Sequence, residues 1–139
     1  MKHAGSCHCG NIRIVLESEI DPRQIKVRAC QCTFCRKHGA RAVSDPDGML
    51  TIQIADQDHL ICYRFGHSTA DFMVCRACGV YVAAVTRGSS ERRGIAQLNA
   101  ITDDQYFGVA VAVQYGDETP AERIERRYRI WMPVSIEYL

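Results

Sequence analysis

No run in the 139-residue sequence approaches the roughly 18 to 20 consecutive apolar residues needed to span a membrane. The opening Met1-Lys2-His3-Ala4-Gly5-Ser6-Cys7 has no apolar signal core, so the expectation is a cytoplasmic protein. Excess charge of one sign is also missing: 17 Lys and Arg oppose 16 Asp and Glu, for a formal net charge of +1. A chain so close to neutral lacks the electrostatic footprint of a nucleic-acid binder. There is no Gly-x-Ser-x-Gly nucleophile turn, no phosphate-binding glycine loop, no low-complexity tract and no internal repeat. Proline is scarce and tryptophan occurs once, at Trp131. What remains is a chain of 47% hydrophobic residues, of a length that suits one domain over residues 1–139. It is also rich in cysteine.

Seven of the eight cysteines fall into three tight groups: Cys7 and Cys9; Cys30, Cys32 and Cys35; Cys75 and Cys78. A reducing compartment disfavours a disulfide framework and favours metal binding or catalysis. A tetrahedral zinc takes four ligands, so no single group is sufficient. Cys75-Arg76-Ala77-Cys78-Gly79 reads as a zinc knuckle, in which both sulfurs reach one ion and the glycine permits the backbone conformation of the turn. Cys7-His8-Cys9, flanked by Gly5 and Gly10, supplies a second pair, and the two pairs together complete one closed four-thiolate site. His8 between two thiolates is expected to be exposed.

Cys30, Cys32 and Cys35 have the pattern of a catalytic zinc site with three protein ligands and an open fourth position. Two residues are candidates to close it: His38, and Cys62 in the run Leu60-Ile61-Cys62-Tyr63, where a buried inert thiol is the leading expectation. Arg36 and Lys37 either attract an anionic substrate or are simply solvated. His67 is read as a solvated turn histidine unless it lies near the open metal, where it could handle protons.

Short apolar runs predict strands over Ile12–Leu16, Ile25–Ala29, Leu50–Ile54, Leu60–Phe65, Asp71–Cys75, Val80–Thr86, Gly94–Leu98 and Val109–Gln114. Ser44–Gly48 and Gly66–Ser68 read as turns, and Ser89–Gly94 as an exposed loop. Many short strands imply a mainly β fold. One short C-terminal helix is signalled by Thr119 as cap, Pro120 at the first helical position and Glu122 three residues after the cap. Ile124, Tyr128 and Trp131 would form its sheet-facing stripe, with Trp131 in core packing rather than substrate binding, and Pro133 prevents simple continuation.

Gly5-Ser6-Cys7-His8-Cys9-Gly10, Cys30-Gln31-Cys32-Thr33-Phe34-Cys35-Arg36, Tyr63-Arg64-Phe65-Gly66 and Cys75-Arg76-Ala77-Cys78-Gly79 together resemble the glutathione-dependent formaldehyde-activating enzyme family, which also includes centromere protein V. Thr33 stands where serine is common there, and Val74 where an aromatic is common. The resemblance implies a β-tent of small antiparallel sheets organised around the four-cysteine zinc site. It implies Cys7, Cys9, Cys75 and Cys78 around a structural zinc, with Cys30, Cys32 and Cys35 around a second, catalytic zinc whose site can be empty. It also implies a carbon–sulfur lyase activity that condenses a small thiol, glutathione, with a small aldehyde, formaldehyde. The alternative reading is a zinc-stabilised binding module for protein partners without catalysis, which requires a fourth protein ligand at the triplet. Zinc buffering or redox sensing through the exposed triplet is a third.

Overall fold

The structure is a computed structural model in which residues 1–88 and 91–139 are described. The strands are β1 (Lys2–Ser6), β2 (Ile12–Glu17), β3 (Val27–Cys30), β4 (Ala42–Val43), β5 (Met49–Ile54), β6 (Leu60–Tyr63), β7 (Ala70–Cys75), β8 (Tyr81–Thr86), β9 (Arg93–Gln97), β10 (Ala110–Val113) and β11 (Met132–Tyr138). Two α-helices accompany them, α1 (Thr33–His38) and α2 (Pro120–Ile130). The mainly β expectation holds, with α2 as the short C-terminal helix. Every expected strand is present within a few residues. The loop expected over residues 89–94 begins at Ser89 and Ser90, which lie outside the described residues. No helix is long and apolar enough to cross a membrane.

The strands run in the order β1-β2-β5-β11-β9-β4-β3-β10, and β8, β7 and β6 branch from β9. Pairing is antiparallel except for β10 with β3 and β11 with β5. β9 is the junction. It pairs with β8 through Gly94–Ala96, while its other edge serves β11 at Arg93 and Gly94 and then β4 at Ala96 and Gln97. Pro133, which has no N–H to donate, lies where β11 leaves β9 for β5.

Alternation builds the main core. Ile12, Ile14 and Leu16 of β2 pair with Ile54, Ile52 and Leu50 of β5, and all six are buried on one face. β8 is buried along its whole length, as its continuous apolar run requires. The layer β7-β8-β9 therefore has two covered faces. Met73, Cys75, Val85 and Ala96 point into the main core. Ala70, Phe72, Tyr81, Ala84 and Ile95 point the other way, into a second cluster containing Cys35 and Trp131.

α2 begins with the full reciprocal capping box: the Glu122 N–H donates to Thr119 Oγ1 (3.2 Å), and the Thr119 N–H donates to Glu122 Oε1 (2.9 Å). Its buried face differs from the expected stripe. Ile124 is exposed, while Arg126 and Arg127 are buried with Trp131 at the C-cap. The helix turns its arginines inward because they face a cavity and a carboxylate rather than an apolar surface.

β1 approaches the Leu98–Ala100 turn so closely that position 5 has no room for a side chain. A Cβ on Gly5 would lie 1.9 Å from the Ala100 carbonyl oxygen. Gly5→Ala must push β1 away from Ile101, its bridge partner. The expected cost is about 2–3 kcal/mol, a fall in melting temperature of roughly 5 to 12 °C. An unchanged melting curve would contradict this close approach.

Candidate functional site

The two cysteine pairs meet at the ends of two hairpins. Cys7 and Cys9 occupy the β1–β2 turn, and Cys75 and Cys78 the β7–β8 turn. Their four Sγ atoms lie within 4.8 Å of one another, with Cys7–Cys9 at 3.8 Å and Cys9–Cys75 at 3.5 Å. All eight cysteines are free. These separations far exceed a disulfide bond of about 2.0 Å. They match the spacing of about 3.8 Å that tetrahedral geometry and a zinc–sulfur bond of about 2.3 Å require. The Ile12 N–H donates to Cys7 Sγ (3.3 Å) and the Cys78 N–H to Cys75 Sγ (3.5 Å). Gly79 takes φ +79°, as the knuckle turn needs, and its N–H donates to the Cys75 carbonyl (2.8 Å). Burial pushes the Cys75 thiol up to about 12. Burial also opposes ionisation of Cys78, but the Cys9 and Val80 backbone and the Cys75 and Cys7 thiols outweigh it and hold that thiol at about 6. The cluster can hold a metal ion, and His8 is exposed beside it.

The triplet lies on the other face of the β7-β8-β9 layer. Cys30 ends β3, Cys32 caps α1, and Cys35 is buried in the first turn of that helix. The Cys35 N–H donates to Cys32 Sγ (3.4 Å), so a thiol of the triplet doubles as helix cap. The three Sγ atoms also lie within 4.8 Å of one another and can hold a metal. A hydrogen bond from Cys35 holds the Cys30 thiol down at about 5, while the same bond, with burial, pushes Cys35 up. Phe34 seats α1 in an aromatic group, with ring centroids 5.1 Å from Phe72, 5.1 Å from Tyr81 and 5.2 Å from Phe65.

No fourth His, Cys, Asp or Glu joins the triplet among the described residues. Cys62 is exposed on β6, which pairs on one side with β7, and it is not the buried thiol that alternation suggested. His38 is exposed at the end of α1, its ring tilted against Phe34 at 4.6 Å rather than turned to the thiols. Arg36 and Lys37 are exposed, the solvated alternative, and do not line the cavity over the triplet. His67 is likewise an exposed turn residue outside that cavity.

That cavity, about 140 Å³, has Cys30, Cys32 and Cys35 in its wall. Phe65, Phe72 and Trp131 form part of its apolar lining, so Trp131 is both core and cavity wall. Arg28, Arg123, Arg126 and Arg127 supply a cationic side. The Tyr81 hydroxyl and the Gln97 amide are buried together in this lining, where Gln97 acts on the hydroxyl as a weak hydrogen-bond partner. Burial, with the neighbouring Cys35, Cys30 and Cys32, pushes the Tyr81 phenol well up, so it is a neutral O–H donor near pH 7. None of these six polar residues was singled out from the sequence. The available signal was the spacing of Arg123, Arg126 and Arg127, which shares one helical face.

Fold and site together define a class: a mainly β protein with one four-cysteine cluster and one three-cysteine cluster in the wall of a cavity. The family model described as "Glutathione-dependent formaldehyde-activating enzyme" matches residues 2–131, and the chain belongs to that family. Membership carries a glutathione-dependent formaldehyde-activating role in general, with glutathione and formaldehyde as the family's substrates. A crystal structure of a Rhodobacter sphaeroides protein is 24% identical, with a TM-score of 0.52 over 98% of this chain and 99% of that one. That likeness speaks for the fold alone.

Proposed function

We propose that residues 1–139 form a single zinc-binding domain that acts as a carbon–sulfur lyase-like enzyme, condensing glutathione with formaldehyde or another small aldehyde at the three-cysteine site. The observation that carries this reading is a trio of thiols in a cavity wall with no fourth protein ligand among the described residues. A binding module stabilised by two closed metals would need that ligand.

In this reading Cys7, Cys9, Cys75 and Cys78 hold a structural zinc, and Cys30, Cys32 and Cys35 hold a second. A zinc bound by the triplet would supply Lewis acidity, lowering the pKa of a substrate thiol or polarising an aldehyde oxygen. The reaction forms one carbon–sulfur bond, and the thiol proton passes to the former carbonyl oxygen. Tyr81 Oη and the Gln97 amide are buried polar groups of the cavity wall available to hydrogen-bond that oxygen. The apolar rings of Phe65, Phe72 and Trp131 exclude water from the reacting atoms. Free thiols and thiolate ligands suit a reducing compartment, which supports a cytoplasmic setting.

Because the uncatalysed addition is easy, consumption assays are weak tests. Exchange spectroscopy with ¹³C-formaldehyde and glutathione at equilibrium reads the interconversion rate directly. The zinc-loaded protein is expected to raise that rate in proportion to its concentration. An exchange rate equal to the protein-free control would refute the proposal.

A further inference from the structure

Six side-chain nitrogen and oxygen atoms are buried without a partner among the described residues: His3 Nε2, Tyr81 Oη, Arg93 Nε, both Gln97 amide atoms and Arg127 Nε. Four of them belong to Tyr81, Gln97 and Arg127, all in the wall of the triplet's cavity. Tyr81 and Gln97 lie near enough to act on each other, which leaves Arg127 Nε as the wall atom with no such neighbour, and a buried polar atom facing a cavity is normally satisfied by what enters it.

The charges there are only partly compensated. Glu118 accepts from Arg126 at 2.7 and 3.0 Å and from Arg123 at 3.3 Å. The Arg126 guanidinium also stacks 3.5 Å from the Tyr115 ring centroid. Arg28 and Arg127 have no carboxylate partner among the described residues. Arg28 donates to Ser44 Oγ at 2.7 Å, and Arg127 donates to Thr69 Oγ1 and lies 4.8 Å over the Trp131 ring. Arg28 and Arg127 are only 8% and 7% exposed. Burial lowers both from the usual arginine value, Arg127 to about 10, which leaves them charged at neutral pH. A buried guanidinium without a counter-ion is costly unless a ligand supplies one.

The triplet does not supply enough negative charge. Four guanidiniums against Glu118 leave three positive charges, and three thiolates holding a dication would cancel one of them. The backbone places these cations on the same cavity that the thiols line. Arg28 precedes Cys30 by two residues on β3 and so shares its face. Arg123, Arg126 and Arg127 share one face of α2.

Resting on the thiol-substrate reading above, we propose that Arg28 and Arg127 form a carboxylate subsite, which selects anionic thiols and holds the substrate with its sulfur toward Cys30, Cys32 and Cys35. A guanidinium presents paired N–H donors that match a carboxylate, and glutathione has two carboxylates.

Calorimetric titration of the zinc-loaded protein with glutathione, its diethyl ester and S-methylglutathione tests this. Trp131, the one tryptophan, gives a fluorescence reading at the subsite itself. Glutathione and S-methylglutathione are expected to bind about ten-fold or more tighter than the ester, the scale of one lost charge-assisted contact. Arg127→Met is expected to erase the preference of acid over ester, and Arg127→Lys to keep part of it. Should Arg127→Met fail to fold, Arg28→Met takes its place. Equal binding of acid and ester, or an undiminished preference in a folded Met variant, overturns the subsite. If formaldehyde exchange is accelerated equally for acid and ester, the subsite fails and the enzyme stands. If the preference for acid holds without accelerated exchange, the enzyme reading fails and the subsite stands.

Discussion

Cys75→Ser is expected to leave no stable fold at 25 °C. Cys75 is fully buried, and its thiol joins the β7–β8 turn to the β1–β2 turn nearly seventy residues earlier in the chain. In the proposed structural zinc site, binding contributes on the order of 10 kcal/mol, comparable to the whole net stability of a domain. A serine hydroxyl is a poor substitute for thiolate, and the other three ligands would not retain the ion tightly. Far-UV circular dichroism and zinc content should report the loss together, and a strong chelator should reproduce it in the unmodified protein. Cys62→Ser, which changes an exposed thiol, should stay within about 0.5 kcal/mol. A cooperative melt of Cys75→Ser close to that of the parent would rule out a metal staple.

Cys32→Ser should have the opposite profile: a retained fold with the chemistry gone. Serine at position 32 can still cap α1, because its oxygen can accept the Cys35 N–H that the sulfur accepts now. What it removes is a soft sulfur donor from a set of three. Bound zinc is expected to fall from two equivalents to one, and formaldehyde exchange to the protein-free rate, with melting temperature changed by only a few degrees. Retention of both equivalents and full exchange would show that the triplet is not the reactive site.

The closed cluster was legible because spacing is a local property. Cys-x-Cys and Cys-x-x-Cys each bring two sulfurs to one point, and only one arithmetic of pairs reaches four. The triplet was legible for the same reason, but its fourth position was not, because spacing left His38 and Cys62 both open. The strands were legible where alternation was clean, as in Ile12–Leu16 and Leu50–Ile54. β1 was not, because Lys2–Ser6 mixes small and polar residues and is held by pairing with β2 and by the His3–Asp103 contact at 3.2 Å. α1 was hidden by its length: six residues show no helical period, and Phe34 holds it in place by packing against rings from distant strands. The cationic wall was hidden for another reason. Buried arginines read as surface residues in a sequence, and only the fold brings β3 and α2 to one cavity. Cys62 shows the converse error, since alternation with apolar neighbours does not say which side of an edge strand faces solvent.

β7 contributes to both centres at once. Met73 and Cys75 face the main core and the closed cluster, whereas Ala70 and Phe72 face the triplet's cluster. Neighbouring residues on this strand therefore answer to different demands. In a saturation scan scored separately for cellular abundance and for turnover, the two maps should diverge along β7 with a period of two residues. Abundance should be lost at 73 and 75. Turnover should be lost at 72 in variants that still accumulate. A single strand would thus serve as an internal ruler, separating what the chain needs in order to exist from what it needs in order to work.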